Sequence, residues 1–182
     1  MNDTLKLNPR ENCDHLSVMA CWKRNSTIGD VQPSCSPKEW MEEKENVPKG
    51  SVVLNIFIYE HSGIVLSSSP FGDPWDSGQL GFMVMTPDKI LEGWGQKKDG
   101  KTAKRVSAKM QKQALECMKA ELEEYNKWIQ GQCWGWSFTD ENGKEDSCWG
   151  YICDDEESAQ YMKESMPEEA RALFAEAWEK RE

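Results

Sequence analysis

A thirteen-residue stretch from Pro70 to Phe82 joins two apolar, β-rich runs and constrains the fold more than any other segment. It contains three glycines, two prolines, two acids and three aromatic residues. Because prolines remove backbone donors and glycines add backbone freedom, this composition excludes a helix. Flexible linkers rarely carry Trp and Phe. We therefore expect a rigid loop near the centre of a sheet, with Trp75 and Phe82 facing inward and Asp76 fixing the turn.

The runs on both sides of this stretch have the composition of strands. Residues 52–59 are β-branched and aromatic, and they are apolar on both faces apart from Asn55. This pattern is typical of a central strand that is covered on two sides. Residues 64–69 return as its hairpin partner, and residues 80–85 and 16–22 are further strands.

A second hairpin is predicted late in the chain. Residues 133–138 and 147–152 are rich in aromatic and small residues, and they flank the dipeptide Asn142-Gly143. This dipeptide is favoured in tight hairpin turns because both of its residues tolerate positive φ angles.

Capping patterns mark the helices. Ser36-Pro37-Lys38-Glu39 predicts a capping box that opens a helix running to about residue 46, and Thr86-Pro87 opens a short one. Ser165 with Glu168 predicts a further capping box ahead of an amphipathic terminal helix. A long helix is expected from Thr102 to Gln130 because apolar residues recur every three to five positions. These residues are Val106, Met110, Ala114, Cys117, Leu122, Tyr125 and Ile129.

Together these elements predict an α+β fold. We expect a mostly antiparallel sheet of about five to six strands, with one long helix packed across it and acidic helices at the C-terminus. At 182 residues the chain suits one domain with an appendage. The predicted division is a core at 1–153 and an acidic helical extension at 154–182, packed on or beside the core.

The net charge of −10 limits the partners. It argues against simple non-specific binding to nucleic acid or to an anionic membrane, and it permits a basic partner or a surface that imitates nucleic acid. The sequence has no run of eighteen apolar residues and no apolar signal region at its start, so we expect a cytosolic protein. Its seven cysteines are then expected to be reduced thiols.

The potential metal ligands lack the spacing of a zinc site. They form an early group and a late group: Cys13, His15 and Cys21, then Cys117, Cys133, Cys148 and Cys153. Neither group contains the C-x2-C pairs that typify structural zinc. We therefore expect core or surface thiols and no metal or other cofactor.

A cysteine hydrolase is the main enzymatic alternative. Cys148 or Cys21 would be the nucleophile, His61 the base and Asp76 the residue that orients it. Neither histidine of the chain lies in a recognisable nucleophile motif, and no phosphate-binding glycine loop is present. His61 can equally be a structural residue of the hairpin turn. We therefore assign no catalytic residue and expect a protein without enzymatic activity.

A basic run precedes and opens the predicted long helix. Residues 97–112 contain seven bases and one acid. The bases are Lys97, Lys98, Lys101, Lys104, Arg105, Lys109 and Lys112. Two interpretations stay open: a solvated helical face, or contact with the phosphates of DNA or guide RNA.

The last 29 residues are acidic, with ten acids and four bases. The residues expected to contact a basic partner are Asp154, Asp155, Glu156, Glu157, Glu164, Glu168 and Glu169. A merely charged outer face is the alternative interpretation.

Seven sequence blocks resemble a family carried by phages and mobile elements of Gram-positive bacteria. The blocks are Asn8-Pro9-Arg10, residues 16–24 with the ending Cys-Trp-Lys-Arg, Ile28-Gly29-Asp30, residues 59–63, residues 74–82, residues 121–125 and residues 146–150. Trp-Asp-Ser-Gly-Gln at 75–79 and Asp-Ser-Cys-Trp-Gly at 146–150 are the most specific. Trp75, Asp76, Gly78 and Gln79 are interpreted as a structural signature of the fold.

Among members of similar length, the chain most resembles type II-A anti-CRISPR proteins. That resemblance implies a stoichiometric inhibitor that binds the guide-loaded type II CRISPR effector nuclease in the cytoplasm of the bacterial host. It implies a block of target DNA binding or cleavage, with some affinity for duplex DNA possible. It assigns no contact residues. The alternatives are a phage accessory protein that binds nucleic acid and the cysteine-dependent enzyme described above.

Overall fold

A four-stranded antiparallel sheet forms the centre of the protein. The computed structural model describes residues 8–12, 14–24, 26–96, 100–153, 157 and 159–180. The sheet has the order β1-β4-β2-β3. Its strands are β1 (Val18–Cys21), β2 (Val52–Glu60), β3 (Ile64–Ser67) and β4 (Ser77–Met85). A separate antiparallel hairpin consists of β5 (Cys133–Thr139) and β6 (Glu145–Ile152).

Helices connect and cover these strands. In the described part of the chain they are α1 (Pro9–Asn12), α2 (Pro37–Glu42), α3 (Pro87–Trp94), α4 (Ala108–Ile129), α5 (Gln160–Ser165), α6 (Glu168–Arg171) and α7 (Phe174–Glu179). Local sequence sets several of their starts. Ser36 and Glu39 form the expected reciprocal capping box of α2, and Thr86 caps α3 ahead of Pro87.

The long helix α4 packs on one face of the sheet. It buries Ala114, Met118, Leu122 and Tyr125 in the same hydrophobic cluster as Leu54, Ile56, Met83 and Met85 of the central strands. The opposite face carries a smaller cluster in which Trp40 of α2 packs with Ala20 and Val84. β2 is central in the sheet, but its second face is only partly covered: Val53 packs against this smaller cluster, whereas Asn55 is exposed. The prediction of a central strand covered on two sides therefore holds only in part.

Gly81 allows β1 to pack closely beside β4. A Cβ atom at this position would lie 2.0 Å from the carbonyl oxygen of Ala20. The pairing of β2 with β4 also shifts here, since Ile56 faces Gly81 while Phe57 faces Gln79. The extra residue, Leu80, forms a bulge, which places Leu80 in the same cluster as Met83.

The C-terminal helices pack on the β5–β6 hairpin. Their buried residues Met162, Met166, Phe174 and Trp178 form a cluster with Trp136. Hydrophobic contact with the hairpin gives the tail a buried face of its own, while its described acids stay exposed.

The α+β class, the long helix across the sheet and the late hairpin are confirmed. Six strands are present in the described residues, divided between a sheet of four and a hairpin of two. The long helix begins at Ala108 rather than Thr102, because Thr102 pairs with Gln96 in an isolated bridge and Ser107 provides the cap.

The predicted capping box of Ser165 and Glu168 is wrong. The Ser165 hydroxyl donates to the carbonyl oxygen of Met162 at the end of α5, and Pro167 precedes α6 without a side-chain cap. The single helix expected after Ser165 is instead two short ones, α6 and α7. In the described residues, no helix is both long enough and apolar enough to cross a membrane.

Candidate partner-binding surfaces

The loop at residues 70–76, here called the Trp75 loop, is fixed by Asp73. The Asp73 carboxylate accepts hydrogen bonds from the backbone N–H of Trp75 at 2.7 Å and of Asp76 at 3.0 Å. These two bonds lower the pKa of Asp73, with the Asp76 amide as the larger cause. The Ser77 hydroxyl donates to the Asp73 carbonyl oxygen. The loop is therefore ordered by local polar contacts.

Trp75 lies on the outside of this loop, with 91% of its surface exposed. The prediction that Trp75 faces inward is wrong, because the Asp73 hydrogen bonds fix the loop without burying its aromatic tip. Phe82 does pack against the sheet, with its ring 5.8 Å from that of Trp22. Trp75 is a large apolar side chain on a preorganised loop, which is typical of an anchor for a protein partner.

The prediction that Asp76 fixes the turn through its carboxylate is also wrong. Its carboxylate instead meets the ring Nδ1 of His61 at 2.9 Å, and its carbonyl oxygen accepts from the Glu60 N–H at 2.7 Å. Gly78 and Gln79 lie in β4 and are exposed. The amide of Gln79 donates to Asn55 at 3.4 Å.

The structure forms part of the hypothetical cysteine hydrolase site. His61 and Asp76 pair as base and orienting residue would, but the candidate nucleophiles lie elsewhere. Cys21 is buried, and burial is the main cause that raises its pKa to about 12, which suppresses its thiolate. Cys148 is exposed on β6 and accepts a hydrogen bond from the Tyr151 hydroxyl at 3.3 Å. In the described contacts, neither thiol meets His61.

The predicted basic run at residues 97–112 forms an exposed segment where the structure describes it. Lys101, Lys104, Arg105, Lys109 and Lys112 are all exposed, and we call them the basic segment. Lys109 and Lys112 lie in the first turns of α4, and Lys112 lies 3.8 Å from Glu116. Lys97 and Lys98 lie outside the described residues. The first turn of α4 contains no acid, so this helix start is positive in both its dipole and its side chains.

The described acids of the tail are exposed, and one of them joins acids of the hairpin turn. Glu157, Glu164, Glu168 and Glu169 are exposed, whereas Asp154, Asp155 and Glu156 lie outside the described residues. Glu169 lines a cavity of about 750 Å³, the acidic cleft, opposite the turn between β5 and β6. The hairpin contributes Asp140, Glu141, Asp146 and a single base, Lys144.

Asp140 has a structural part in this cleft. Its carboxylate accepts from the N–H groups of Lys144 and Asn142, each at 2.8 Å, and these bonds lower its pKa. The hairpin acids were not among the residues that the sequence predicted to contact a basic partner. Their only signal is the local run Asp140-Glu141-Asn142-Gly143, which by itself indicates a turn.

The sequence-based predictions also did not include an ion cluster in which Arg10 and Glu121 are buried and Asp30 lies at the surface. Arg10, with 2% of its side chain exposed, donates to Asp30 at 2.9 Å and to Glu121 at 3.1 Å. Burial alone would lower the pKa of Arg10. Its hydrogen bond to Asp30 and the charges of Asp30 and Glu121 outweigh this effect, so the pKa of Arg10 is raised overall. Glu121 also accepts from the Leu16 N–H at 3.1 Å. The sequence feature that could have indicated this cluster is Glu121, an acid on the apolar face of α4.

Three blocks of the family resemblance meet in this cluster, since Arg10, Asp30 and Glu121 each come from a different one. The cluster joins the N-terminal segment, the loop before α2 and helix α4. Because its charges are paired and hydrogen-bonded, it is suited to hold these segments together.

The described residues contain no group of three or more His, Cys, Asp or Glu arranged to hold a metal ion. Cys13, one of the early candidate ligands, lies outside that part of the chain. Comparison with known proteins finds no matching family model, no matching curated protein and no matching solved structure.

Proposed function

We propose that this chain is a stoichiometric inhibitor of a type II-A CRISPR effector nuclease. It binds the guide-loaded nuclease in the bacterial cytoplasm and blocks target DNA binding or cleavage. The observation that carries this proposal is the separation of charge into a basic segment at the start of α4 and an acidic cleft beside the hairpin. The resemblance of its sequence blocks to those of type II-A anti-CRISPR proteins is the second reason for it.

The acidic cleft suits a strongly positive protein surface. Three hairpin acids and Glu169 surround it, against one lysine. An RNA-guided nuclease holds its heteroduplex in a positively charged channel, and an acidic protein surface can compete for such a channel. Opposite charges across an interface accelerate association and fix its orientation.

The basic segment suits the phosphates of the guide RNA or of duplex DNA. A base in the first turn of a helix opposes the helix macrodipole, so Lys109 does not stabilise α4, whereas Lys112 lies beyond that turn and pairs with Glu116. Their exposure makes them accessible to phosphates, and such contacts weaken with rising salt.

Titration of a cleavage assay tests this proposal. The guide-loaded nuclease is mixed with rising amounts of the chain before target duplex is added, and cleavage should stop near a one-to-one ratio. Undiminished cutting at about tenfold molar excess would refute the proposal. The variant Glu141→Lys/Asp146→Lys/Glu169→Lys should inhibit at least about tenfold less well.

A matched triple variant controls for net charge. Glu42, Glu43 and Glu45 are exposed in and after α2, and none of them lines the acidic cleft. Replacing all three with lysine gives the same change in charge as the cleft variant. This control should inhibit as the natural chain does, because only the position of the lost acids differs.

A phage accessory protein that binds nucleic acid is the second candidate, and the exposed basic segment favours it. Gel-shift measurements with duplex and single-stranded probes separate the two candidates. Tight binding to either probe, abolished in Lys104→Glu/Arg105→Glu/Lys109→Glu, with no effect on the nuclease, would favour the accessory protein. Because an acid in place of Lys109 would complement the helix dipole, this variant should stay folded.

A further inference from the structure

The β5–β6 hairpin and the C-terminal helices enclose an apolar cleft next to the acidic one. Its volume is about 310 Å³, and its walls include Trp134, Trp136, Phe138, Met162 and Phe174. This volume and lining lie within the range of sites that take an apolar group. Methionine and aromatic side chains adapt their shape to an incoming apolar side chain.

The indole N–H groups on the hairpin side of the cleft already have partners. Trp134 donates to the Cys153 carbonyl oxygen at 2.8 Å, and Trp136 donates to the Ser165 hydroxyl at 2.9 Å. The rings therefore offer the cleft their apolar surfaces. A polar small molecule would lose hydrogen bonds with water there, whereas an aliphatic or aromatic side chain would not.

The apolar cleft opens directly into the acidic cleft. Phe138 and Leu173 line both cavities, so the two form one continuous surface. Leu173 lies at this junction with 57% of its surface exposed. An apolar groove beside four acids requires an occupant that is apolar along one side and basic along the other.

We propose that this composite cleft binds a basic amphipathic helix of a partner protein. Apolar side chains at helical spacing enter the groove between the hairpin and α5–α7, and Lys or Arg residues beside them meet Asp146 and Glu169. Helix-in-groove recognition by an apolar groove is an established mode of peptide binding. The acids disfavour nucleic acid and anionic lipid as occupants. The inference rests on the proposed function only in taking the partner to be a protein.

Fluorescence anisotropy with a labelled model peptide tests this inference. The probe is a helix of leucine and lysine, about 18 residues long, with leucine at i, i+3, i+4 and i+7. A scrambled peptide of identical composition is the control ligand. The full chain should bind the amphipathic probe at least about tenfold more tightly than the scrambled one, and high salt should weaken binding.

Three substitutions locate the probe. Leu173→Ser and Glu169→Lys should each weaken binding at least about fivefold, the second mainly at low salt. Tyr161→Ser is the matched control, because Tyr161 is 81% exposed and lines neither cavity. It should bind as the natural chain does. All three changed residues are exposed, and circular dichroism checks that each variant folds.

Equal binding of both peptides, or an affinity that neither cleft substitution changes, would overturn the inference. A dimer seen by sedimentation that Leu173→Ser dissociates would also overturn it, since a second copy would then occupy the cleft. Because the peptide assay contains no nuclease, the two proposals fail separately. Peptide binding without inhibition removes the proposed function alone, and inhibition without peptide binding removes this inference alone.

Discussion

Arg10 and Glu121 are 111 residues apart in sequence, and their side chains meet at 3.1 Å. Only 2% and 10% of the two side chains are exposed. Removing one partner of a buried pair leaves an uncompensated charge in the interior. Arg10→Met should therefore lower the free energy of unfolding by about 3 kcal/mol, as measured by urea denaturation.

A double variant separates the cost of the isolated charge from the loss of packing. Arg10→Met/Glu121→Leu should recover at least about 1 kcal/mol of that loss, because the more buried of the two acids is then removed as well, and the remaining acid, Asp30, has 24% of its side chain exposed to water. Lys38→Met removes an exposed partner of Glu42 and should change stability by less than about 0.5 kcal/mol. A double variant as unstable as Arg10→Met would contradict this account.

Much of the short-range chemistry was predictable from the sequence, although the Ser165–Glu168 capping box was wrongly predicted. The Ser36 capping box, the cap-then-proline start of α3 and the Asn142-Gly143 hairpin each depend on residues within a few positions of one another. The start of α4 was not, because the Gln96–Thr102 bridge competes with helix formation and has no helical signature in the sequence.

Features that depend on distant residues were beyond sequence reasoning. An inward Trp75 is expected because aromatic residues usually bury apolar area, whereas a hydrogen-bonded aspartate fixes the loop from within. The acidic cleft was missed because its two sides, the hairpin turn and Glu169, meet only after the tail folds onto the hairpin. The charges were visible in the sequence, but their convergence was not.

Gly81 gives a steric prediction with a matched control in the same strand. In Gly81→Ala the added methyl would overlap the Ala20 carbonyl oxygen and displace β1. The free energy of unfolding should therefore fall by about 3 kcal/mol. Gly78→Ala adds a methyl with no neighbouring atom within 4 Å. Its stability should change by less than about 0.5 kcal/mol. Thermal and urea denaturation measure both variants, and similar stability of the two would contradict the close approach of β1.

The cysteines should differ in reactivity. Burial is the main cause that raises the pKa of Cys21 to about 12 and of Cys117 to about 11. A raised thiol pKa lowers the thiolate fraction, which for Cys21 at pH 8 is about one in ten thousand. Cys148 is exposed. With iodoacetamide at pH 8, mass spectrometry should find Cys148 alkylated first and Cys21 unmodified.

Unfolding provides the control for the thiol experiment. In guanidinium chloride the thiols are no longer buried and their pKa values are no longer raised by burial. All seven cysteines should then be alkylated at similar rates. Even at pH 9 native Cys21 should stay largely unmodified, because a pKa of about 12 leaves only about one thiol in a thousand as thiolate. Alkylation of native Cys21 as fast as that of Cys148 would show that the Cys21 thiol is not buried.

Asp73 controls the order of the Trp75 loop, and its removal should mobilise the loop without unfolding the protein. Asp73→Ala loses the acceptor of the Trp75 and Asp76 amides, whereas Asp73→Asn keeps an oxygen in place. The ¹⁵N order parameter of the Trp75 amide should stay near about 0.85 in Asp73→Asn and fall below about 0.6 in Asp73→Ala.

The lowered pKa of Asp73 sets the direction of the pH effect. Its contribution is present above the ordinary carboxyl pKa and is lost as pH falls through the lowered value in the folded state. The stability that the ionised carboxylate adds should therefore be complete at pH 5 and decline below about pH 4 in urea denaturation, while Asp73→Asn should show no such decline and the loop should stay ordered in both proteins, because each keeps an acceptor oxygen. If Trp75 anchors a partner, Asp73→Ala should also weaken nuclease inhibition, because the exposed indole must then be ordered at the moment of binding. A loop equally ordered in all three proteins would show that other contacts hold Trp75 in place.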